Sequence, residues 1–191
     1  ALGAALVTAV AGNPLIIDAS RSNYAIEGIE LVMSSGRTYL RGSDQLYDII
    51  QLPLTDSYYP VSSGAYALGE DYRYTLEALS DMLKRLKPNG LMVITRWLQK
   101  DPTEWLRMFT LSVTALEEDG HNPQRQLIAL RGYNTGTLVI KKSEFTKSET
   151  ASVRTFAEEK AFDLVYAPDI KGTDVNRFNV LQEPKYYQSF T

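Results

Sequence analysis

Two hydrophobic periods alternate along this chain, and that alternation constrains its fold more than any other feature. Short apolar runs, most of them carrying β-branched residues, fall at Leu6–Val10, Ile29–Met33, Tyr47–Leu52, Leu91–Thr95, Gln126–Leu130, Thr137–Lys141 and Phe162–Ala167. Between most of them lie segments whose apolar residues recur every three or four positions. A strand sends successive side chains to opposite faces, whereas a helix returns to one face about every 3.6 residues, so neither pattern sits well in the other's conformation. Strands alternating with helices predict an α/β fold with a mainly parallel sheet. The runs Gln126–Leu130 and Thr137–Lys141 follow each other across Arg131-Gly132-Tyr133-Asn134-Thr135-Gly136 and read as an antiparallel hairpin or as neighbours.

Capping residues mark the helices. Asn13 before Pro14 is an N-cap with proline at the first helical position. Ser34-Ser35-Gly36 is a turn ahead of a short helical piece, Arg37–Arg41. Tyr72, Leu76, Leu79, Leu83 and Leu86 share one face of the clearest helix, with Glu70 and Asp71 at its start and Pro88-Asn89-Gly90 at its end. Asp101-Pro102-Thr103-Glu104 and Thr146-Lys147-Ser148-Glu149 are helix starts of capping-box type. The first opens a helix with Trp105, Met108, Phe109, Ser112, Val113 and Leu116 inside; the second turns Val153, Phe156 and Ala157 inward. Trp97 and Trp105 read as packing residues. Residues 1–167 make the α/β body of one domain. Residues 168–191 are a polar, irregular tail that Tyr186 and Tyr187 pin to the body.

Composition narrows the chemistry. With no cysteine and one histidine in 191 residues, structural zinc sites, cysteine nucleophiles and redox pairs are excluded. The single His121 lies in a polar Asp-Gly-His-Asn-Pro turn, a poor setting for a catalytic triad. A net charge of −3 argues against nucleic acid. Ala1–Ala11 is too short to span a bilayer and lacks a basic start, so the chain reads as a soluble piece. Its first residue is Ala, not Met, consistent with a segment of a longer protein.

In open α/β sheets, ligands sit beyond the C-terminal ends of the strands. The loops to inspect are therefore Ala11–Pro14, Ser34–Arg37 and Pro53–Gly69. The last is long and rich in tyrosine, and long loops inside compact domains are often functional. Asp56, Glu70 and Asp71 with Tyr58, Tyr59, Tyr66 and Tyr72 read either as a cation pocket or as a solvated loop leading into a helix. Arg37 either pairs with a ligand carboxylate or sits on a surface helix.

Specific residues carry a family resemblance. They are Tyr47-Asp48-Ile49-Ile50-Gln51-Leu52, Thr55-Asp56-Ser57, Ser63-Gly64-Ala65-Tyr66-Ala67-Leu68, and Glu70-Asp71-Tyr72-Arg73-Tyr74-Thr75-Leu76-Glu77-Ala78. The Thr8–Pro14, Leu86–Gly90, Ile94–Trp97 and Asn176–Leu181 stretches fit the same pattern. Nearly the whole chain resembles the spermidine-synthase-like domains, in particular the bacterial branch attached to transmembrane segments. That resemblance implies a Rossmann-like, class I methyltransferase-type fold without its first strand and glycine-rich motif. It implies S-adenosylmethionine or its decarboxylated form as cofactor, no metal, and a polyamine or other cationic acceptor. Asn13, Ser34, Ser35 and Gln51 would line the cofactor side. Asp56, Tyr66, Glu70 and Tyr72 would line the acceptor side, with Asp56 as the catalytic carboxylate.

The chain departs from the family pattern at telling places. Ala11 stands where an acidic residue holds the ribose hydroxyls, Ser35 replaces the acid near adenine, and Pro53 takes the usual base position. Without a base, an amine of pKa about 10 is a poor nucleophile at neutral pH. Two readings follow: a spermidine-synthase-like transferase impaired in this chain, or a non-catalytic ligand-sensing or assembly module of a larger membrane-attached protein, at the bacterial inner membrane with this domain cytoplasmic. A sheet lacking a central strand also leaves unpaired edges, so a homodimer or a rearranged sheet is expected.

Overall fold

A computed structural model describes residues 3–23, 28–54, 72–99 and 103–191. The chain forms two compact units, Ala1–Gln45 and Leu46–Thr191.

The first unit holds β1 (Val7–Ala11), α1 (Pro14–Asn23), β2 (Ile29–Met33) and α2 (Gly36–Gly42). β1 and β2 pair in parallel, from Val7 opposite Ile29 to Ala11 opposite Met33. The helix between them is the crossover that a parallel pair requires. Ile17 and Leu40 are the buried apolar side chains among its described residues.

The second unit holds β3 (Tyr47–Leu52), a 3₁₀ turn at Tyr72–Tyr74, α3 (Leu76–Lys84), β4 (Leu86–Trp97), α4 (Thr103–Glu118), α5 (Pro123–Gln126), β5 (Leu127–Arg131), β6 (Thr135–Lys141), α6 (Lys147–Glu159), β7 (Asp163–Tyr166), a 3₁₀ turn at Gly172–Asp174, and α7 (Lys185–Phe190). Its sheet runs β3-β4-β6-β5-β7. β3 and β4 are parallel, and the other three pairings are antiparallel. The predicted α/β class and its antiparallel hairpin, β5–β6, are both present.

Register sorts the core into two layers. Residues directly opposite one another share a face. Met92 lies opposite Ile140, and Ile140 opposite Leu127; Ile94, Leu138 and Ala129 form the next row. All six are buried, on the face that α4 covers with Trp105, Met108 and Phe109. On the other face Ile128, Leu130, Phe145, Ala157 and Leu164 cluster with Leu91, Val139 and Val153. Among the described residues no helix is long and apolar enough to cross a membrane.

Several expectations need correction. The helix predicted from Tyr72 to Leu86 is shorter. Thr75 caps α3, its hydroxyl accepting the Ala78 N–H at 3.2 Å, while Glu70 and Asp71 lie outside the described residues. Leu86 begins β4 instead of ending the helix. Pro88-Asn89-Gly90 lies inside that strand, where the pairing with β3 shifts register between Tyr47 and Ile49. A proline without an N–H fits such an irregularity. Gly90 is required there, because a Cβ would lie 2.9 Å from the Tyr47 carbonyl oxygen. Phe156, expected inside, is 46% exposed and stacks on Phe162. The tail is not wholly irregular: α7 buries Tyr186 and Phe190. Asp101 and Pro102 lie outside the described residues, while the Thr146–Glu149 capping box forms as predicted.

Candidate functional site

In the first unit, the loops after β1 and β2 bring Asn13, Ser34 and Ser35 to the C-terminal ends of two parallel strands. Their side chains are engaged locally. Asn13 Oδ1 accepts the Leu15 N–H at 2.9 Å, capping α1. Ser35 Oγ accepts the Thr38 N–H at 3.1 Å and donates to Thr38 Oγ1 at 2.7 Å, capping α2. The Ser34 hydroxyl donates to the Ser35 carbonyl at 3.2 Å. The two strands end in Ala11 and Met33, neither of which can hold a ribose hydroxyl. An S-adenosyl nucleoside would therefore meet helix caps at these loops and no strand-end carboxylate. The described residues do not fit a tightly held cofactor of that kind.

In the second unit, Gln51 is exposed on β3, just ahead of Pro53. Asp56, Tyr66 and Glu70 lie outside the described residues, as does the side chain of Tyr72. His121 sits after α4 with Nε2 3.1 Å from Asp119, the polar turn expected of it. No group of His, Asp and Glu among the described residues could hold a metal ion.

The most organised polar geometry lies at the C-terminal end of β4. Arg96, Gly136 and Arg131 are consecutive partners across β4, β6 and β5, and Asp163 on β7 completes the row. The Trp105 ring covers Gly136: a Cβ there would sit 2.5 Å from Trp105 Cε2. Around that indole pack Tyr186, at 5.6 Å edge-on, and Phe190, at 4.8 Å. The Trp105 Nε1–H is buried without a hydrogen-bond partner.

Arg131 and Asp163 form a fully buried ion pair at 3.1 Å. Asp163 also accepts the backbone N–H groups of Arg177, Phe178 and Asn179 at 2.6, 2.9 and 2.8 Å. Arg131 in turn donates to Asn176 Oδ1 at 3.2 Å and to the Asn179 carbonyl. Asn176 takes a left-handed φ of 56° and ties itself to Leu181 through both ends of its amide. Asn and Asp tolerate that conformation better than most residues. Burial pushes the Asp163 carboxyl up, but the three N–H groups and Arg131 outweigh it, and the net shift is downward. Burial likewise pulls the Arg131 guanidinium below its ordinary value, against the opposing charge of Asp163. The Asn176–Leu181 motif thus wraps a buried carboxylate. Sequence reading missed the pair because its partners are 32 positions apart on two strands.

A second group surrounds Tyr74, which is 2% exposed. The Arg96 guanidinium lies 4.2 Å from the centre of its ring and Arg73 lies 5.2 Å from it. Arg107, from α4, donates to the Tyr74 carbonyl at 3.3 Å and holds Glu104 through Nε and Nη2 at 3.3 and 3.2 Å. A cavity of about 850 Å³ opens elsewhere, beyond the Tyr166 end of β7. Phe109, Tyr166 and Phe190 line it together with Glu117, Arg125 and Asp169.

No family model and no curated protein matches the chain. Solved structures do match in fold. A probable spermidine synthase from Corynebacterium glutamicum superposes with a TM-score of 0.56 at 16% identity, over 78% of this chain and 52% of that one. Human methyltransferase-like protein 13, solved with SAH, gives 0.55 at 13% identity over 81% and 70%. Spermidine synthase from Thermotoga maritima gives 0.50 at 15% identity over 98% and 56%. The chain thus shares the fold of spermidine synthases and class I methyltransferases, and spans about half the length of these synthases.

Proposed function

We propose that this chain is a spermidine-synthase-type transferase domain that retains ligand binding at the C-terminal ends of its parallel strands but is impaired as a transferase. One observation carries the impairment: two of the four polar side chains expected on the nucleoside side are engaged as helix caps. Asn13 caps α1 and Ser35 caps α2, while the strands beside them end in Ala11 and Met33. The likeness to a probable spermidine synthase and to a methyltransferase, at 16% and 13% identity, supports the fold on which this reading stands. Pro53 at the expected base position supports loss of amine activation.

The rest of the protein, on this reading, carries transmembrane segments at a bacterial inner membrane, with this domain cytoplasmic. The sequence resemblance is the support for that placement. Self-association is part of the same reading. Among the described residues β1 pairs with β2 alone and β3 with β4 alone, and strand edges of this kind recruit further chains.

Calorimetric titration with S-adenosylmethionine, its decarboxylated form and methylthioadenosine tests the proposal. No heat is expected from the natural chain, and weak binding is expected to appear in the variant Ala11→Asp, which restores a ribose acceptor. Micromolar binding of any of the three to the natural chain would overturn the impaired-donor reading.

A further inference from the structure

We infer that the cavity of about 850 Å³ at the Tyr166 end of β7 binds a small organic cation, an amine carried on an apolar body. This goes beyond the ligand site proposed above, because the cavity lies at the other end of the second unit's sheet.

Topology fixes that place. β6 runs antiparallel to β4, β5 antiparallel to β6, and β7 antiparallel to β5. β7 therefore ends on the side where β4 begins, away from the C-terminal ends of β3 and β4. Leu127, the first residue of β5, and Glu117, near the end of α4, reach the same side.

Size and lining suit a small molecule. Ligand pockets occupy roughly 300–1,000 Å³ and combine apolar walls with a few polar groups. Phe109, Leu127 and Phe190 line this cavity and are buried. Phe109 meets Tyr166 edge-on at 5.1 Å and stacks on Phe190 at 4.5 Å, so three rings make one continuous wall. Those ring contacts exist without a ligand, which lowers the ordering cost of binding one.

Charge decides the ligand class. Glu117 and Asp169 are exposed at the rim, and among the described residues neither carboxylate has a hydrogen-bond or ion-pair partner. The arginines beside them are engaged. Arg125 pairs with Glu144 at 2.7 Å. Arg154, whose Nη2 meets the Asp169 carbonyl at 3.5 Å, pairs with Asp174 at 2.6 Å. The rim is thus net negative beside an aromatic wall. An ammonium group finds two carboxylates to pair with and ring faces that attract it, whereas an anion is repelled. The Tyr166 hydroxyl donates to the Gln124 carbonyl at 3.3 Å and keeps its lone pairs for an N–H of the ligand.

The test is a titration of the isotope-labelled full chain with 2-phenylethylammonium and with 3-phenylpropionate, which share a shape and differ in charge. Amide chemical shifts are expected to move within residues 122–127 and 166–170 on adding the ammonium. The carboxylate is expected to bind at least about fivefold more weakly. The double variant Glu117→Gln with Asp169→Asn removes both free charges and keeps side-chain shape, and asparagine tolerates the left-handed φ of 60° at position 169. An exposed charge is worth up to about fivefold in affinity, so the double variant should bind the ammonium about threefold or more weakly. Val113→Phe, which fills the cavity from α4, should abolish binding. Should it fail to fold, the double variant carries the test, both its positions being exposed. Silence to the ammonium overturns the inference, and so does equal or tighter binding of the carboxylate. Shifts gathered at the C-terminal ends of β3 and β4, or binding that the double variant leaves unchanged, overturn it as well.

Discussion

Replacing Asp163 with asparagine should be among the most destabilising single changes in the second unit. The carboxylate is fully buried and satisfies four donors: Arg131 at 3.1 Å and the N–H groups of Arg177, Phe178 and Asn179. An asparagine oxygen can still accept the two N–H groups that meet Oδ1. Its NH₂ group then faces the Asn179 N–H and the Arg131 guanidinium, donor against donor. The charge of Arg131, whose side chain is 4% exposed, is left without its counterion. Breaking a buried pair from one side costs about 3–5 kcal/mol. Urea unfolding followed by tryptophan fluorescence reads this directly, because Trp105 packs on Tyr186, whose ring lies 5.6 Å from Arg131. Arg131→Met with Asp163→Leu should not recover full stability, since three backbone N–H groups stay buried without an acceptor, each costing about 1–3 kcal/mol. The pH dependence gives an independent check. The folded state holds the Asp163 pKa below its ordinary 3.8, so its contribution is complete above that value and is lost as pH falls through the lower one. The gap between natural chain and variant should accordingly shrink below about pH 4. A loss under about 1 kcal/mol at pH 7, or a gap that stays constant into acid, would refute the reasoning.

Two further outcomes follow from local geometry. Gly136→Ala should lower stability by about 1–3 kcal/mol through overpacking, because the added Cβ meets the Trp105 ring at 2.5 Å; unchanged thermal unfolding would exclude that packing. Thr146→Ala removes the hydroxyl arm of the α6 capping box, which accepts the Glu149 N–H at 3.2 Å, and should cost about 1 kcal/mol in the same melt; Glu149→Gln should cost more, because it also takes the carboxylate away from Lys141 Nζ, 2.6 Å distant and on a side chain only 6% exposed.

Much of the scaffold was legible because it is written locally. Asn13 before Pro14 and Thr146 with Glu149 each form the caps that their spacing predicts. A cap depends on groups within four positions, so one sequence carries all the information. The helix Tyr72–Leu86 misled for a related reason. Leu86 keeps the helical spacing, yet the Arg85 carbonyl accepts the Tyr47 N–H at 2.8 Å, and pairing with β3 claims Leu86 for the sheet. Tertiary pairing overrides a one-dimensional period at the boundary of an element. The Asn176–Leu181 motif was visible as a pattern, but its purpose, wrapping Asp163, was not.

Sequence alone determined that this is an α/β chain with an antiparallel hairpin, without cysteine and with one histidine. Those conclusions rest on periodicity and side-chain chemistry, which are properties of residues taken in order. Only the tertiary structure decided that Arg131 and Asp163 are buried together, and that Arg73, Arg96 and Arg107 meet at Tyr74. Each depends on strand order and register, which bring distant positions into one row, and charge acquires its meaning from the groups that folding places beside it.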